Sequence, residues 1–421
     1  MKNYPACITR DEGCPMNQDI DTRQLPLRKL DFVTDHDGFI SMIIYNTHPD
    51  EGIFIAPKYF PDKGDNSGKW YSHETGRYYN RFEYYWNLKQ STEGQSAKVY
   101  DVDKNPDHVY ATDVFDRFNQ NLVLDPCHGV YMYVLPRTSV YRYHDAKAKY
   151  RDFIESIPTH ARKFGPFLKR IGDTFDIDHV GITGSYLYDL YQDFSDLNFV
   201  FYDDVVDAFH DLLVMEKALL NRQEIDVKVP ASDWQGWLVE QKARKELLPA
   251  LKFKGKRQFI IVKNRFIGSM QDARDPRTRA GFWLANTVDV YPHGTFTKKP
   301  LGIAVITGHV SSWVDDMPSG HYRVDKVTIL GIHPRVSIDV MDEDSPIDHG
   351  NIDDLARNIQ ISAVQVIGEF CRMFLYDEEF MAFGLLEEIT TNDATVPVHE
   401  LLVGGREIGG WIFPVSEINP R

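Results

Sequence analysis

The chain has 421 residues, more than one compact core accommodates, so two or three domains are expected. A hydrophobic share of 43% with 26% charged residues excludes a disordered or fibrous chain, and no run of 18 apolar residues is present to span a membrane. The formal charge of −15 argues against a protein wrapped by nucleic acid over its whole surface, and 22 Tyr with 25 Phe favour strand-rich domains.

The N-terminal stretch MKNYPACITRDEGCPMNQD lacks the apolar core of a signal peptide, and residues 1–25 read as an arm of turn composition. The four cysteines stand at 7, 14, 127 and 371. Only Cys7 and Cys14 lie close, and no second pair completes a zinc site, so reduced thiols and a cytoplasmic location are expected. Residues 26–140 form the first expected domain, a β-rich unit with short strands in GFISMIIYNTH, EGIFIAPKYF, GKWYSHETGRYYNRF and HGVYMYVLP and a loop in FPDKGDNSGK. Within it, DPCHG (residues 125–129) sets a cysteine beside a histidine. Neighbours in a turn do not face each other, so the segment reads as a turn rather than a nucleophile pair.

Helical spacing starts near Asp145, runs through KAKYRDFIESI, breaks at Pro158 and resumes in ARKFGPFLKRIG. These helices open the second expected domain, 141–284. At its centre stands HVGITGSYLYDLYQDFSDLNFVFYDD, residues 179–204. A short apolar run with Val180 and Ile182 ends in Gly184-Ser185, a helix-length stretch follows, and Ser195-Asp196-Leu197-Asn198 opens a second apolar run from Phe199 to Tyr202. A Gly-Ser turn before a helix offers amides and a hydroxyl to a phosphate. Carboxylates opening the next strand can hold magnesium at an α-phosphate. Alternate strand residues share a face, so Asp196 and Asn198 are expected to project together toward Gly184 and Ser185. An ordinary turn, with Asp196 merely solvating a strand start, fits the same pattern.

Farther on, DDVVDAFHDLLVMEKALLNR and DWQGWLVEQKARKELL are spaced as helices, EIDVKV sets Asp226 between Ile225 and Val227, and KRQFIIVKNRF reads as a strand without an acid. From Lys242 to Arg279 twelve Lys and Arg stand against three acids, a local +9 in a chain of −15. Such an inversion is either a solvated face or, beside a phosphate site, a surface for a triphosphate, RNA or another polyanion. Lys256 and Arg257 are its nucleotide-binding candidates. From 285 to 421 strands recur at short, even spacing between Gly and Pro, which predicts a small barrel or sandwich. Histidines 179, 293, 309, 321, 333 and 349 lack i, i+4 spacing and nearby cysteines, so no metal site is expected among them.

Residues 179–204 resemble the signature of the DNA polymerase β-like nucleotidyltransferase superfamily: a Gly-Ser turn, Asp-x-Asp on the next strand and a third acid on a later strand. The chain is also similar to a group of predicted nucleotidyltransferases found mainly in archaea. That likeness runs over LDFVTDHDGFISMIIYNTHPDEGIFIAPKYFPD, VLPRTSVYRYHDAKAKYRDFI, EQKARKELLPALKFKGKRQFIIV, and AFGLLEEI followed by LLVGG, which together cover most of the chain. The resemblance implies an α+β fold, with a central polymerase β-like domain (a mixed sheet with helices) flanked by N-terminal and C-terminal β-rich domains. It implies transfer of a nucleoside monophosphate from a nucleoside triphosphate, with magnesium or manganese, to RNA, a nucleotide or another hydroxyl acceptor. On this chain it makes Gly184 and Ser185 phosphate-holding, Asp196 and Asn198 catalytic and metal-holding, and Asp226 the third metal-holding acid.

Two departures weigh against intact chemistry. Asn198 stands where the second carboxylate belongs, and an amide oxygen ligates magnesium without offsetting its charge. Asp226 has the right flanking residues, but a surface residue between two helices is the slightly favoured reading. Asp189, Asp193, Asp203 and Asp204 are close enough in sequence to compensate, although loop and cap positions are their ordinary roles. A non-catalytic protein that binds nucleic acid or a partner on a degenerate nucleotidyltransferase fold is therefore the second expectation.

Overall fold

The computed structural model describes residues 22–62, 70–81, 121–202, 278–315, 321–333, 359–366, 377–403, 411–415 and 418–420. Shorter described pieces lie at 208, 211–212, 214–215, 218–219, 221–222, 225–226, 251–253, 269–272 and 275.

The first strands are β1 (Phe32–Asp35), β2 (Ile40–Ile43), β3 (Gly52–Pro61), β4 (Trp70–Tyr71), β5 (Tyr78–Arg81), β6 (Leu122–Asp125), β7 (Val130–Pro136) and β8 (Val140–His144). They form one eight-stranded sheet in the order β4-β5-β3-β2-β1-β8, with β7 and then β6 branching from β3. Alternation along the strands gives it two apolar faces. Val33, Ile43, Ile53, Ile55 and Tyr133 pack into one cluster, while Phe32, Ile40, Tyr59 and Tyr79 pack into another.

Helix α1 (Ala146–Glu155) is capped by Asp145, whose carboxylate accepts from Ala148 N at 3.0 Å. Its Tyr150 and Phe153 are buried. Pro158 precedes a short 3-10 turn, and α2 (Gly165–Thr174), with a proline in its first turn, buries Phe167, Leu168 and Ile171 on one stripe. Ala208, Leu212, Met215 and Leu219 are helical and buried, at the spacing of a single helix face.

The next strands are β9 (Val180–Thr183), β10 (Leu197–Tyr202), β11 (Ile225–Asp226), β12 (Leu251–Phe253), β13 (Ser269–Asp272) and β14 (Arg279–Ala285). All but β12 form a mixed sheet ordered β11-β13-β14-β10-β9, with β10 antiparallel to β9 and parallel to β14. Strand β10 is covered on both faces, which is why its sequence is a continuous apolar run. Leu197, Phe199 and Phe201 enter the cluster that holds α1 and α2, whereas Val200 and Tyr202 enter the one shared with Phe32, Ile40 and Tyr59. Each of these large side chains contributes about 1.5–3 kcal/mol by leaving water.

The remaining strands are β15 (Phe296–Asp315), β16 (His321–His333), β17 (Ile361–Val366), β18 (Glu379–Thr391), β19 (Val398–Val403), β20 (Trp411–Pro414) and β21 (Ile418–Pro420). They run β15-β16-β17-β19-β18, and β18 pairs back with β15 from Phe296 to His309, so five strands close into a ring. Closure gives each of those five strands a partner on both sides, although β16 meets β17 only over His321–Arg323. Strand β20 adds to β18, and β21 pairs with β12. One hydrophobic cluster joins Phe199 and Phe282 of the mixed sheet to Tyr322, Phe380 and Leu386 of the ring. The sequence change expected near residue 285 therefore separates strand patterns but not the core. The described fold is thus mostly strand with few helices, in mixed and antiparallel sheets. Among the described residues no helix is long and apolar enough to cross a membrane.

Polar contacts fix the first sheet against the mixed one. The buried Asp31 carboxylate accepts from Arg28 Nε at 3.0 Å, Ala146 N at 2.8 Å, Tyr202 OH at 3.3 Å and the Tyr143 hydroxyl. Thr183 Oγ1, at the end of β9, donates to Leu30 O at 2.7 Å. Replacing Thr183 with Val keeps the shape but removes this donor from the partly buried Leu30 carbonyl. The expected loss is about 1–2 kcal/mol, read as a lower urea midpoint at unchanged slope.

Candidate functional site

The register of β10 sets Asn198 opposite Thr183 on β9 and opposite Gly281 on β14. Gly184 follows Thr183 and turns the chain with φ +69°, a left-handed conformation that glycine tolerates. A Cβ at Gly184 would lie 2.9 Å from Asn198 Nδ2, and one at Gly281 would lie 2.1 Å from Asn198 Oδ1. The two glycines thus form a slot for the Asn198 amide. Its NH2 lies 3.4 Å from Asp196 Oδ1, and its oxygen accepts from Trp283 Nε1, also at 3.4 Å. Asp196 is exposed, while Gly184, Ser185 and Asn198 are partly buried. Gly184, Asp196 and Asn198 are therefore together at one end of adjacent strands, with Ser185 next along the turn.

The helix expected after Ser185 is replaced by a three-residue 3-10 turn, Gly184–Tyr186, and an irregular loop. Two local causes are visible. Asp189 has φ +57°, which interrupts helical backbone. Tyr186 also packs into the cluster of α1 and α2, while Leu187, Tyr188 and Leu190 pack into the cluster of the first sheet. The loop is held by that sheet: His73 N donates to Asp189 O at 3.0 Å and Gln192 Nε2 donates to Tyr71 O at 3.1 Å. Tyr191 stacks on His73 at 4.3 Å and on His160 at 3.9 Å between ring centroids. A phosphate at Gly184-Ser185 would meet turn amides rather than the dipole of an α-helix.

The expected metal set divides. Asp226 lies on β11, which is separated from β10 by β13 and β14. Three strand spacings amount to about 14 Å, whereas two ligands of one magnesium ion lie at most about 4 Å apart. Strand β14, the neighbour of β10, carries Gly281 opposite Asn198 and contains no acid. Asp189 is engaged with Lys149 at 2.9 Å, and the Asp193 carbonyl accepts from Lys163 Nζ at 2.8 Å. Asp203 and Asp204 lie outside the described residues, as do Lys256, Arg257 and most of the basic window 242–279. Asn198 turns its NH2 toward Asp196, so ligation by its oxygen needs the amide to flip. Among the described residues, one carboxylate with a neighbouring amide fits a magnesium ion that arrives on a triphosphate and keeps phosphate and water ligands.

Two buried polar clusters bring together residues that the sequence did not connect. In the first, each strand of the closed ring supplies one side chain: Lys298, His321, Gln365, Glu387 and Glu400. Lys298 Nζ lies 3.2 Å from Glu387 Oε2 and 3.1 Å from Gln365 Oε1. Glu400 Oε1 meets His321 Nε2 at 3.2 Å and accepts from the Tyr291 hydroxyl, while its Oε2 is buried with no hydrogen-bond partner among the described residues. Burial would lift the Glu400 carboxyl, but His321 and Lys298 outweigh it and hold it below its usual range. The second cluster gathers Asp125, Cys127 and His128 of the DPCHG turn with His293. The turn reading holds for DPCHG, but sequence spacing could not show that His293 packs on it. A signal for the first cluster was present as Glu387 and Glu400 inside otherwise apolar strands.

No family model matches the chain, and no curated protein or solved structure shows significant similarity to it.

Proposed function

We propose that the chain is a nucleotidyltransferase, with a polymerase β-like site at the β9–β10 end that transfers a nucleoside monophosphate from a nucleoside triphosphate to a hydroxyl acceptor. The observation that carries this reading is the meeting of the left-handed Gly184 turn with Asp196 and Asn198 across neighbouring strands. Gly184 lets backbone and triphosphate approach without a side chain between them, and the Ser185 hydroxyl is the adjacent donor. Asp196 is the carboxylate that would hold magnesium. The ion, when bound, offsets charge on the phosphates. The Asn198 amide, confined between Gly184 and Gly281, holds its NH2 toward Asp196.

A second reading, nucleotide or polyanion binding without turnover, is favoured by the acid-free strand β14 beside Asn198. Pyrophosphate release from each of the four nucleoside triphosphates, with magnesium or manganese and with or without RNA acceptors, separates the two. Wild type is expected to release pyrophosphate, Asp196→Ala to abolish release, and Asn198→Asp to keep or raise it by restoring a charged ligand. Release that survives Asp196→Ala removes the catalytic reading. Nucleotide binding without release by wild type supports the second.

A further inference from the structure

The DPCHG turn and the segment entering β15 are far apart in sequence, yet their side chains converge. Asp125 Oδ1 lies 2.9 Å from His293 Nε2, across 168 positions of sequence. Cys127 Sγ stands beside them, and one ligand atom from each of Asp125, Cys127 and His293 falls within 4.8 Å of the other two. Asp125 and Cys127 are buried and His293 is partly buried. We propose that these three side chains form a binding site for one zinc ion that clips the β6–β7 turn onto the strand ring.

The chemistry of the donors selects the ion. A thiolate, an imidazole and a carboxylate suit zinc and do not suit magnesium or calcium, which prefer oxygen alone. Around a tetrahedral zinc with bonds of about 2.0–2.3 Å, neighbouring ligand atoms sit about 3.3–3.8 Å apart. The widest pair of donors therefore needs to close by roughly 1–1.5 Å at most, while Asp125 Oδ1 and His293 Nε2, at 2.9 Å, need to part slightly. Zinc takes the place of the hydrogen bond between His293 Nε2 and Asp125 Oδ1, the neutral His293 ring then carrying its proton on Nδ1, and the Cys127 thiol releases its proton to water as it ligates. Water completes the fourth position.

The surroundings are arranged as the support of a metal site is. Asp125 Oδ2 is occupied by Cys127 N at 3.1 Å, His128 N at 2.9 Å and His128 Nδ1 at 2.7 Å, leaving Oδ1 turned to His293. Gly294 N donates to Cys127 Sγ at 3.3 Å, a backbone contact that fixes where the sulfur points. His293 N donates to Thr47 Oγ1 at 2.8 Å, and the His293 ring packs edge-on against Phe54 at 5.2 Å. His128 packs between Tyr45, Phe54 and Phe296. The ligand positions are thus fixed by both units that the ion would join.

The test uses the full chain, stripped with a chelator under reducing conditions and titrated with cobalt(II) and with zinc. Wild type is expected to take up one equivalent, to show a thiolate-to-cobalt charge-transfer band, and to melt at a higher temperature with zinc than without. Cys127→Ser is expected to lose the band and the melting shift. His128→Asn, which leaves all three ligands in place, is expected to weaken binding by about 10–100-fold. Mapping of alkylated peptides gives a reading on wild type alone: zinc is expected to protect Cys127 from iodoacetamide. A band that persists in Cys127→Ser would arise from Cys7, Cys14 or Cys371 and overturns the site. So does folded wild type that takes up no metal, or Cys127 labelling that zinc leaves unchanged.

Discussion

Lys298→Met is expected to destabilise the protein by about 3–5 kcal/mol, the loss typical of removing one partner from a buried ion pair. Lys298 and Glu387 are almost wholly buried, with 7% and 2% of their side-chain surfaces exposed. Glu387 also stands directly opposite Glu400 on the neighbouring strand, so two buried carboxylates share the site. Burial alone would lower the Lys298 ammonium, but Glu387 and Glu400 outweigh it and hold it above its ordinary value. Methionine matches the length of the lysine stem and removes only its charge and donors. Glu387 is then left facing Glu400 without its cation. Adding Glu387→Met should recover most of the loss, because an apolar pair needs no compensation in a dry interior. Urea midpoints of the two single variants and the double variant form the cycle. A Lys298→Met loss below about 1 kcal/mol, or no recovery in the double variant, contradicts the argument.

The same cluster shows where sequence reading stops. The apolar run Phe199 to Tyr202, the break at Pro158 and the helical stripe of α2 were legible because each signal is local and periodic. The ring at the C-terminal end was open between barrel and sandwich, since closure depends on β15 meeting β18 some eighty residues later. The helix expected after Ser185 failed for a related reason. Its aromatic residues divide between two cores supplied by distant strands, and a local pattern cannot show that. At the candidate site, the likeness of Asp196 and Asn198 to a carboxylate pair was visible in the sequence, and so was the missing charge. What was not visible is that Gly281 supplies the other wall of the Asn198 slot and that β11 stands three strands away. Both follow from sheet order, which single-sequence spacing leaves undetermined. His293 beside Cys127 belongs to the same class of long-range fact.

Between pH 6.5 and 4.5 the protein is expected to lose about 2–3 kcal/mol of stability, with His48 and His144 as the main cause. Burial pushes His48 down to about 4, and burial followed by Arg142 and Lys149 pushes His144 down to about 3. Geometry gives the same answer for His48. Its Nδ1 accepts from Phe54 N at 3.2 Å while Nε2 faces Leu27 O at 3.2 Å, so only the neutral ring suits both neighbours. A proton on Nδ1 would set two donors against each other. The folded values lie below the unfolded value of 6.5, so stability is fully present above pH 6.5 and is lost as pH falls toward 4 and 3. Full effect from both rings over two pH units is about 4 kcal/mol. Asp31 acts in the opposite sense: burial lifts it to about 6, so its protonation below that value favours the folded state and trims the net loss. His48→Asn, which keeps an acceptor oxygen near Phe54 N but cannot titrate, should make the decline shallower by about 2 kcal/mol across the same range. Urea unfolding at pH 6.5, 5.5 and 4.5 measures both slopes, and equal slopes for wild type and His48→Asn would show that this ring is not the titrating group.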